Sequence, residues 1–203
     1  MEKLLEKLRS KNIQAYVARD CGEARDLALS LIPPGATVAM GNSATLRETG
    51  IFDSLVNGAY NVINQFEPGI PAAENLKRRK AGMLADVYFT SANALTLDGE
   101  LVNIDGKGNR VAAMMFGPDK VVIVVGENKI VKNQDEAWRR LKEKAAPALA
   151  EKLGRATPCA KTGVCSDCSS PERICRCYTV INGQMPVDKD RIHVIIVKER
   201  LGI

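Results

Sequence analysis

An α/β fold with an open, largely parallel sheet and helices on both faces is the architecture predicted by the sequence, and three observations predict it. Short apolar runs alternate with helix-period segments over most of the 203 residues. The run VVIVV (121–125) is unbroken, as a central strand covered on both faces requires. Aromatic residues make up only 4% of the chain, so the core relies on Leu, Ile, Val and Ala, which suits buried parallel strands. A chain of this length buries its core as one domain, here residues 1–203.

The elements follow in order. Leu4, Leu5 and Leu8 recur at helical spacing, and the apolar segment IQAYVA (13–18) leads into the helical GEARDLALSLI (22–32), which IPPG ends. ATVAM (36–40) reads as a buried strand running into GNSATLRETG. Further strands are predicted at YNVINQ (60–65), DVYFTSA (86–92), KVVIVVG (120–126) and IHVIIV (192–197). Helices are predicted at AAENLKRRKAGML (72–84) and NQDEAWRRLKEKAAPALAEKLG (133–154). The alternation breaks twice, at the polar, glycine-rich 96–110 and at a cysteine-rich segment, 157–178.

Charge and composition exclude some functions. The excess of 29 basic over 24 acidic residues is small, and the runs KRRK (77–80) and RRLKEK (139–144) read as solvated helix faces. No aromatic residues interleave with them, so a nucleic-acid partner is excluded. The N-terminus has no apolar signal core, and no stretch approaches the about 18 apolar residues of a membrane span. A soluble, cytoplasmic protein without a membrane partner is expected, and in that compartment clustered thiols point to metal or redox chemistry before disulfides.

Three motifs carry chemistry. In AMGNSATLRETG a strand ends, Gly41 permits a tight turn, and Asn42, Ser43 and Thr45 open a helix. Thr45 as N-cap with Glu48 three residues on has capping-box spacing, and such a helix start offers free N–H groups to an anion. In the second motif, Asp98-Gly99 between ALTL and LVNI signals a hairpin. The polar density there exceeds what turns need: Asn93, Asp98, Glu100, Asn103, Asp105, Gly106, Gly108, Asn109 and Arg110. Glu100 and Asp105 have the chemistry of acid–base or nucleophilic carboxylates, and Arg110 that of an anion partner. The lone histidine, His193, sits inside a strand pattern and reads as a satisfied strand residue. The third motif spaces Cys159, Cys165, Cys168, Cys175 and Cys177 as C-x5-C-x2-C-x6-C-x-C. Four thiolates suit tetrahedral zinc or an iron–sulfur cluster. A packed loop of free thiols and a Cys165/Cys168 redox couple are the alternatives, and the second lacks the preceding strand of a thioredoxin-type motif.

GNSATLRETGI, the segment TSANALTLDGELVNIDGKGNRVAAMMFGPDKVVIVVGENKIV, TPCAKTGVCSDCSSPERICR and RIHVIIVKERLGI together resemble the LUD-domain (lactate utilisation) family, from about residue 1 to the C-terminus. The resemblance implies the fold of the superfamily of ribose-phosphate and glucosamine-phosphate isomerases and CoA transferases, with a cleft over the strand ends. It places Gly41–Glu48 and Asn93–Arg110 along that cleft, and matches Cys159, Cys165, Cys168 and Cys175 to one branch of the family. Neither Glu48 nor Glu100 matches the setting of the CoA-transferase nucleophile. By resemblance, the protein acts in lactate-type organic-acid oxidation as a component of a redox assembly. It would bind a small anion and an iron–sulfur cluster or zinc, alongside iron–sulfur partner subunits. Two other classes are carried: a stand-alone isomerase, ligase or transferase on a phosphorylated, CoA-linked or folate-type substrate, and a zinc-clipped, non-enzymatic scaffold.

Overall fold

Val121–Val125 are inaccessible to solvent on both faces, and the sheet is laid down around them. The computed structural model describes residues 1–203. The chain begins with α1 (Glu2–Ser10), β1 (Gln14–Ala18), α2 (Cys21–Ser30), β2 (Thr37–Met40), α3 (Ala44–Glu48) and α4 (Ile51–Asn57). It continues through β3 (Asn61–Val62), α5 (Ala72–Ala81), β4 (Val87–Thr90), β5 (Ala94–Thr96), β6 (Leu101–Asp105) and α6 (Asn109–Met115). Then come β7 (Lys120–Gly126), β8 (Ile130–Val131), α7 (Gln134–Arg140), α8 (Ala146–Lys152), α9 (Pro158–Thr162), β9 (Cys177–Ile181) and β10 (Ile192–Val197).

Six strands form the main sheet in the order β1-β10-β7-β4-β2-β3, every pair parallel. Ile192 lies opposite Val121 on one side of β7, and Val87 opposite Lys120 on the other. Strand alternation divides the core. Val122, Val124, Ile195 and Phe89 face α2, α3 and α4 through Ala24, Ala28, Leu46, Ile51 and Leu55. Val121, Ile123, Val194 and Ile196 face the leucine stripe of α1 and the buried side of α6. This is the predicted α/β architecture, with helices on both faces of a parallel sheet.

The first break in the alternation builds a second sheet, β8-β5-β6-β9. Its hairpin turns at Asp98-Gly99 as the dipeptide predicts, with Gly99 N–H donating to the Thr96 carbonyl at 2.9 Å. Leu95, Leu101 and Ile181 join the core on the α1 side of the main sheet, while Ala94 and Val102 meet Ala137 and Leu141 of the α7 region. The small sheet is thus a layer between the main sheet and α7.

Several details differ from expectation. The strand at 60–65 shrinks to Asn61–Val62, because Gln65 turns away and donates Nε2–H to the Met40 carbonyl at 2.7 Å. The helix predicted over 133–154 passes through a π-helical turn, Leu141–Ala145, between α7 and α8. Pro147 has no N–H for the carbonyl four residues back, and the Ala146 N–H reaches Leu141 O instead. The run 139–144 is not a wholly solvated face, since Arg140 is buried. His193 is satisfied within the sheet: Nδ1 meets the Tyr16 hydroxyl at 3.2 Å and Nε2 the Asp190 carbonyl at 2.8 Å. No helix is long and apolar enough to cross a membrane.

Because Ile123 has no exposed surface and sits mid-strand, Ile123→Ala leaves a cavity at the centre of the α1-side core. A loss of about 2–5 kcal/mol is expected, read as a lower urea midpoint with an unchanged denaturant slope.

Candidate functional site

The chain leaves β2 and β4 toward opposite faces of the sheet: after β2 into α3 and α4, after β4 into the small sheet. Such divergence opens a crevice beyond the carboxyl ends of the strands. A cavity of about 740 Å3 lies there, and segments following β2, β3, β4, β6 and β7 contribute to its lining.

Its lining is electropositive. Arg47 of α3, Arg79 of α5, Lys107, Arg110 of α6, Lys129, Lys152 of α8, Arg155, Arg173 and Arg176 face it, nine cations against the carboxylates of Asp105 and Glu172. The deepest of them is Lys129, in the single turn that follows β7, with 4% of its surface exposed. Its Nζ donates to Thr45 Oγ1 at 2.8 Å and to Ser91 Oγ at 2.9 Å, and no carboxylate pairs with it. Burial, with help from the Arg140 and Arg110 charges, pushes its pKa down to about 7, against a weaker opposing pull from Glu48. Buried Arg140 also lacks a carboxylate. It donates NH1–H to Asn93 O at 2.7 Å and Nε–H to Asn128 O at 3.2 Å.

Arg110 is the hub. Nε donates to Asp105 Oδ2 at 3.1 Å; NH1 to Ser91 O at 2.8 Å and Asn103 Oδ1 at 3.0 Å; NH2 to Asn93 Oδ1 at 3.0 Å and Ile104 O at 2.8 Å. All five of its N–H donors are engaged by the protein. Asp105 is equally committed: Oδ1 accepts from Lys107 N and Gly108 N, closing the turn before α6. Arg110 therefore contributes charge to the cavity, while its hydrogen bonds position the loops.

The residues predicted from sequence divide between cavity and scaffold. Asn42, Ser43, Thr45, Asn93, Asp105, Gly106, Asn109 and Arg110 line the cavity. Gly41 lies beneath it, where a Cβ would come within 3.1 Å of Thr90 Oγ1, so the glycine answers to space and not to a tight turn. Ser43, not Thr45, caps α3, its Oγ accepting from Leu46 N at 3.2 Å, which frees the Thr45 hydroxyl for Lys129. Glu48 is exposed and accepts from Gly202 N at 2.6 Å. Asn103 is fully buried under the site, Gly108 starts α6 with a left-handed φ of 83°, and Asp98 is at the exposed hairpin turn. Glu100 lies outside the cavity, bridging the Thr96 hydroxyl and Gln134 Nε2.

The cysteine-rich segment forms one wall of the cavity. Pro171, Glu172, Arg173, Ile174 and Arg176 line it. Its sulfurs are free and half-buried, each with separate surroundings: Cys159 beside the Thr157 hydroxyl, Cys165 at the Asp167 N–H, Cys175 at Arg173 Nε. No group of three or more His, Cys, Asp or Glu side chains gathers to hold a metal ion. Cys159, Cys165, Cys168 and Cys175 as folded here do not fit the four-thiolate set expected for zinc or an iron–sulfur cluster.

Lys129, Ser91 and Gln65 are the cavity residues that sequence reasoning missed, together with the buried Arg140, which holds the Asn93 and Asn128 carbonyls behind the lining. The signal for Lys129 was its place just beyond VVIVVG, where a strand-end loop of a parallel sheet carries ligands. Gln65 also lines the cavity, and its Oε1 is buried without a partner.

The LUD-domain family model matches residues 1–197. The chain belongs to the LUD-domain family. A solved DUF162 family protein from Deinococcus radiodurans, 16% identical, aligns 97% of this LUD-domain chain with 94% of its own, at a TM-score of 0.54, and has the same fold. Weaker likenesses are a ribose 5-phosphate isomerase from Plasmodium falciparum and eIF2B delta from Chaetomium thermophilum. The first is 16% identical over 54% of this chain and 51% of that one, at a TM-score of 0.32. The second is 15% identical over 68% and 53%, at 0.34. No curated protein matches the LUD-domain chain.

Two outcomes test this geometry. Arg110→Lys keeps the charge but cannot reach five acceptors in a planar fork, so a loss of about 3 kcal/mol or more is expected in chemical denaturation. Lys129 binds its proton with a pKa of about 7 in the fold against an ordinary 10.5. Between those values the unfolded chain holds more protons, so this group makes stability rise as pH climbs from about 7 toward 10.5, with its full cost remaining below 7. Lys129→Met should flatten that rise and gain on the order of a few kcal/mol at neutral pH, measured by denaturation across the range.

Proposed function

We propose that this LUD-domain protein acts in the oxidation of lactate-type 2-hydroxy acids as the component that binds the small anion, with the electron acceptor supplied by iron–sulfur partner subunits. Family membership supports a role of the lactate-utilisation type. The observation that carries the anion reading is the buried, carboxylate-free Lys129 inside a cavity lined by nine cations and two carboxylates. Buried cations without counter-charges cost stability unless something anionic compensates them. A 2-hydroxy acid supplies that anionic group at its carboxylate.

In this reading Arg110 and Arg140 hold the loops and supply field, while Arg79, its Nε held by Asn75 Oδ1 at 2.7 Å, and Arg47, stacked over the Phe52 ring, line the cavity and offer their remaining N–H groups to the carboxylate. Glu100 takes no part, being outside the cavity. No step is assigned to a metal at the cysteine segment, whose sulfurs are not gathered. A second reading, a stand-alone enzyme on a phosphorylated, CoA-linked or folate-type substrate, is favoured by volume. The cavity of about 740 Å3 is within the range of sites that enclose larger ligands.

Calorimetric titration with lactate, pyruvate, sulfate and ribose 5-phosphate separates the readings. Lactate or pyruvate binding supports the first; binding of the sugar phosphate alone supports the second. Arg79→Ala should weaken the productive anion about tenfold or more, and Glu100→Gln should leave it unchanged. Sulfate keeps its charge across neutral pH, so its affinity should fall as pH rises through the Lys129 pKa of about 7. Affinity for none of the four anions would end both readings.

A further inference from the structure

The amino group of Lys129 is poorly suited to serve only as another cation. Eight other basic side chains already supply positive charge to the cavity. Lys129 is the one placed where burial and two neighbouring guanidinium groups suppress its charge. Desolvation next to other cations is the setting that turns a lysine into a nucleophile toward carbonyl groups. Its local geometry has the same sense. As a free amine, Nζ gives its two N–H groups to Thr45 Oγ1 at 2.8 Å and Ser91 Oγ at 2.9 Å. With Cε in the third place, the fourth tetrahedral position of the nitrogen is left to the lone pair, and Lys129 is a lining residue of the cavity. Gly202 packs closely on this cluster: a Cβ there would stand 2.5 Å from Thr45 Oγ1 and 3.1 Å from Nζ, so a side chain at this position would crowd the amine.

We propose that Lys129 captures the carbonyl carbon of a small anionic substrate of the 2-oxo-acid class, forming an imine with it in the cleft. The proposal rests on the anion-binding reading above and names the chemistry of its ligand: a 2-oxo acid is what oxidation of a 2-hydroxy acid yields. The nitrogen lone pair attacks the carbonyl carbon, the C–O π pair goes to oxygen, and that oxygen takes a proton. The nitrogen loses a proton, and the carbinolamine hydroxyl leaves with another proton as water, giving C=N. Ser91 Oγ and Thr45 Oγ1 each contact Nζ and lie 3.5 Å apart, so both hydroxyls are placed to pass protons between nitrogen and oxygen. The substrate carboxylate is neutralised by the field of Arg110 and met by the terminal N–H groups of Arg79, whose Nε is held by Asn75 Oδ1.

The test is reductive trapping on the purified full-length protein, with pyruvate and cyanoborohydride at pH values on both sides of 7. Intact mass and peptide mapping follow. About one reduced adduct per chain is expected, on Lys129, with a yield that rises with pH through 7 and falls with excess sulfate. Ser91→Ala should slow trapping at Lys129 about tenfold or more, a change that a purely structural serine would not produce. Pyruvate binding by calorimetry with no adduct on Lys129 overturns the imine and leaves the anion reading standing. Adducts scattered over surface lysines at a sulfate-insensitive yield overturn it equally. If none of pyruvate, lactate or sulfate binds, the anion reading fails and the imine with it.

Discussion

The five N–H donors of Arg110 bind the end of a main-sheet strand to a strand of the small sheet. Ser91 and Asn93 follow the main-sheet strand β4, while Asn103, Ile104 and Asp105 belong to the small-sheet strand β6, so one guanidinium, with the Asn93 and Asn103 side chains, ties the two sheets together at the cleft. The attachment continues outward, since Asp105 closes the turn into α6 and its carbonyl accepts from Arg176 N, which hangs the cysteine-rich wall on the same loop. Planarity and a fixed fork let arginine do this where a lysine would leave acceptors unfilled. Position and charge are thereby set by one residue, and its charge remains even though its donors are spent.

That separation of hydrogen bonding from neutralisation explains the electrostatics of the cleft. Arg140 is satisfied by two main-chain carbonyls and Lys129 by two hydroxyls, groups that accept hydrogen bonds without supplying a negative charge. A polar cluster elsewhere in the fold is closed in the ordinary way. Tyr16, His193 and the Asp190 carbonyl complete one another, burial moves the His193 pKa down, and no donor or acceptor there points at open space. The cleft instead keeps its potential, and two buried side-chain atoms beside it, Gln65 Oε1 and Asn103 Nδ2, have no partner. Buried polar groups left incomplete on one side of a molecule mark where a ligand completes them.

The sequence was most readable where a local pattern determined the outcome. VVIVV could only be an interior strand, Asp98-Gly99 could only turn a hairpin, and both stand as expected. Local rules misjudged the elements that a distant contact decides. Thr45 had the spacing of an N-cap, yet Ser43 caps and Thr45 serves a lysine 84 positions away. Glu100 sat in the most polar loop of the chain, but strand alternation in the hairpin points it to Gln134 and away from the cavity. Lys129 and Gln65 have no motif of their own. Their importance comes from β7 and β3 ending at the same edge of the sheet as β2 and β4, which is a property of strand order and not of spacing.

The cysteines bring out the same physics. Their spacing along the chain says which thiols are close in sequence, but a coordination shell needs sulfurs brought within a few ångströms of one point. Here the segment is laid out as a wall, and the organising side chain is an arginine. Arg173 donates to the Cys168 and Cys175 carbonyls, to Cys175 Sγ at 3.2 Å and to the Tyr178 hydroxyl at 2.8 Å, and the same guanidinium faces the cavity. Cys177 Sγ packs against Gly108, where the left-handed turn starts α6. Thiols and cleft therefore share their supports, since Cys175 Sγ accepts from an arginine that also lines the cavity. The segment singled out for its thiols is mechanically part of the cavity wall.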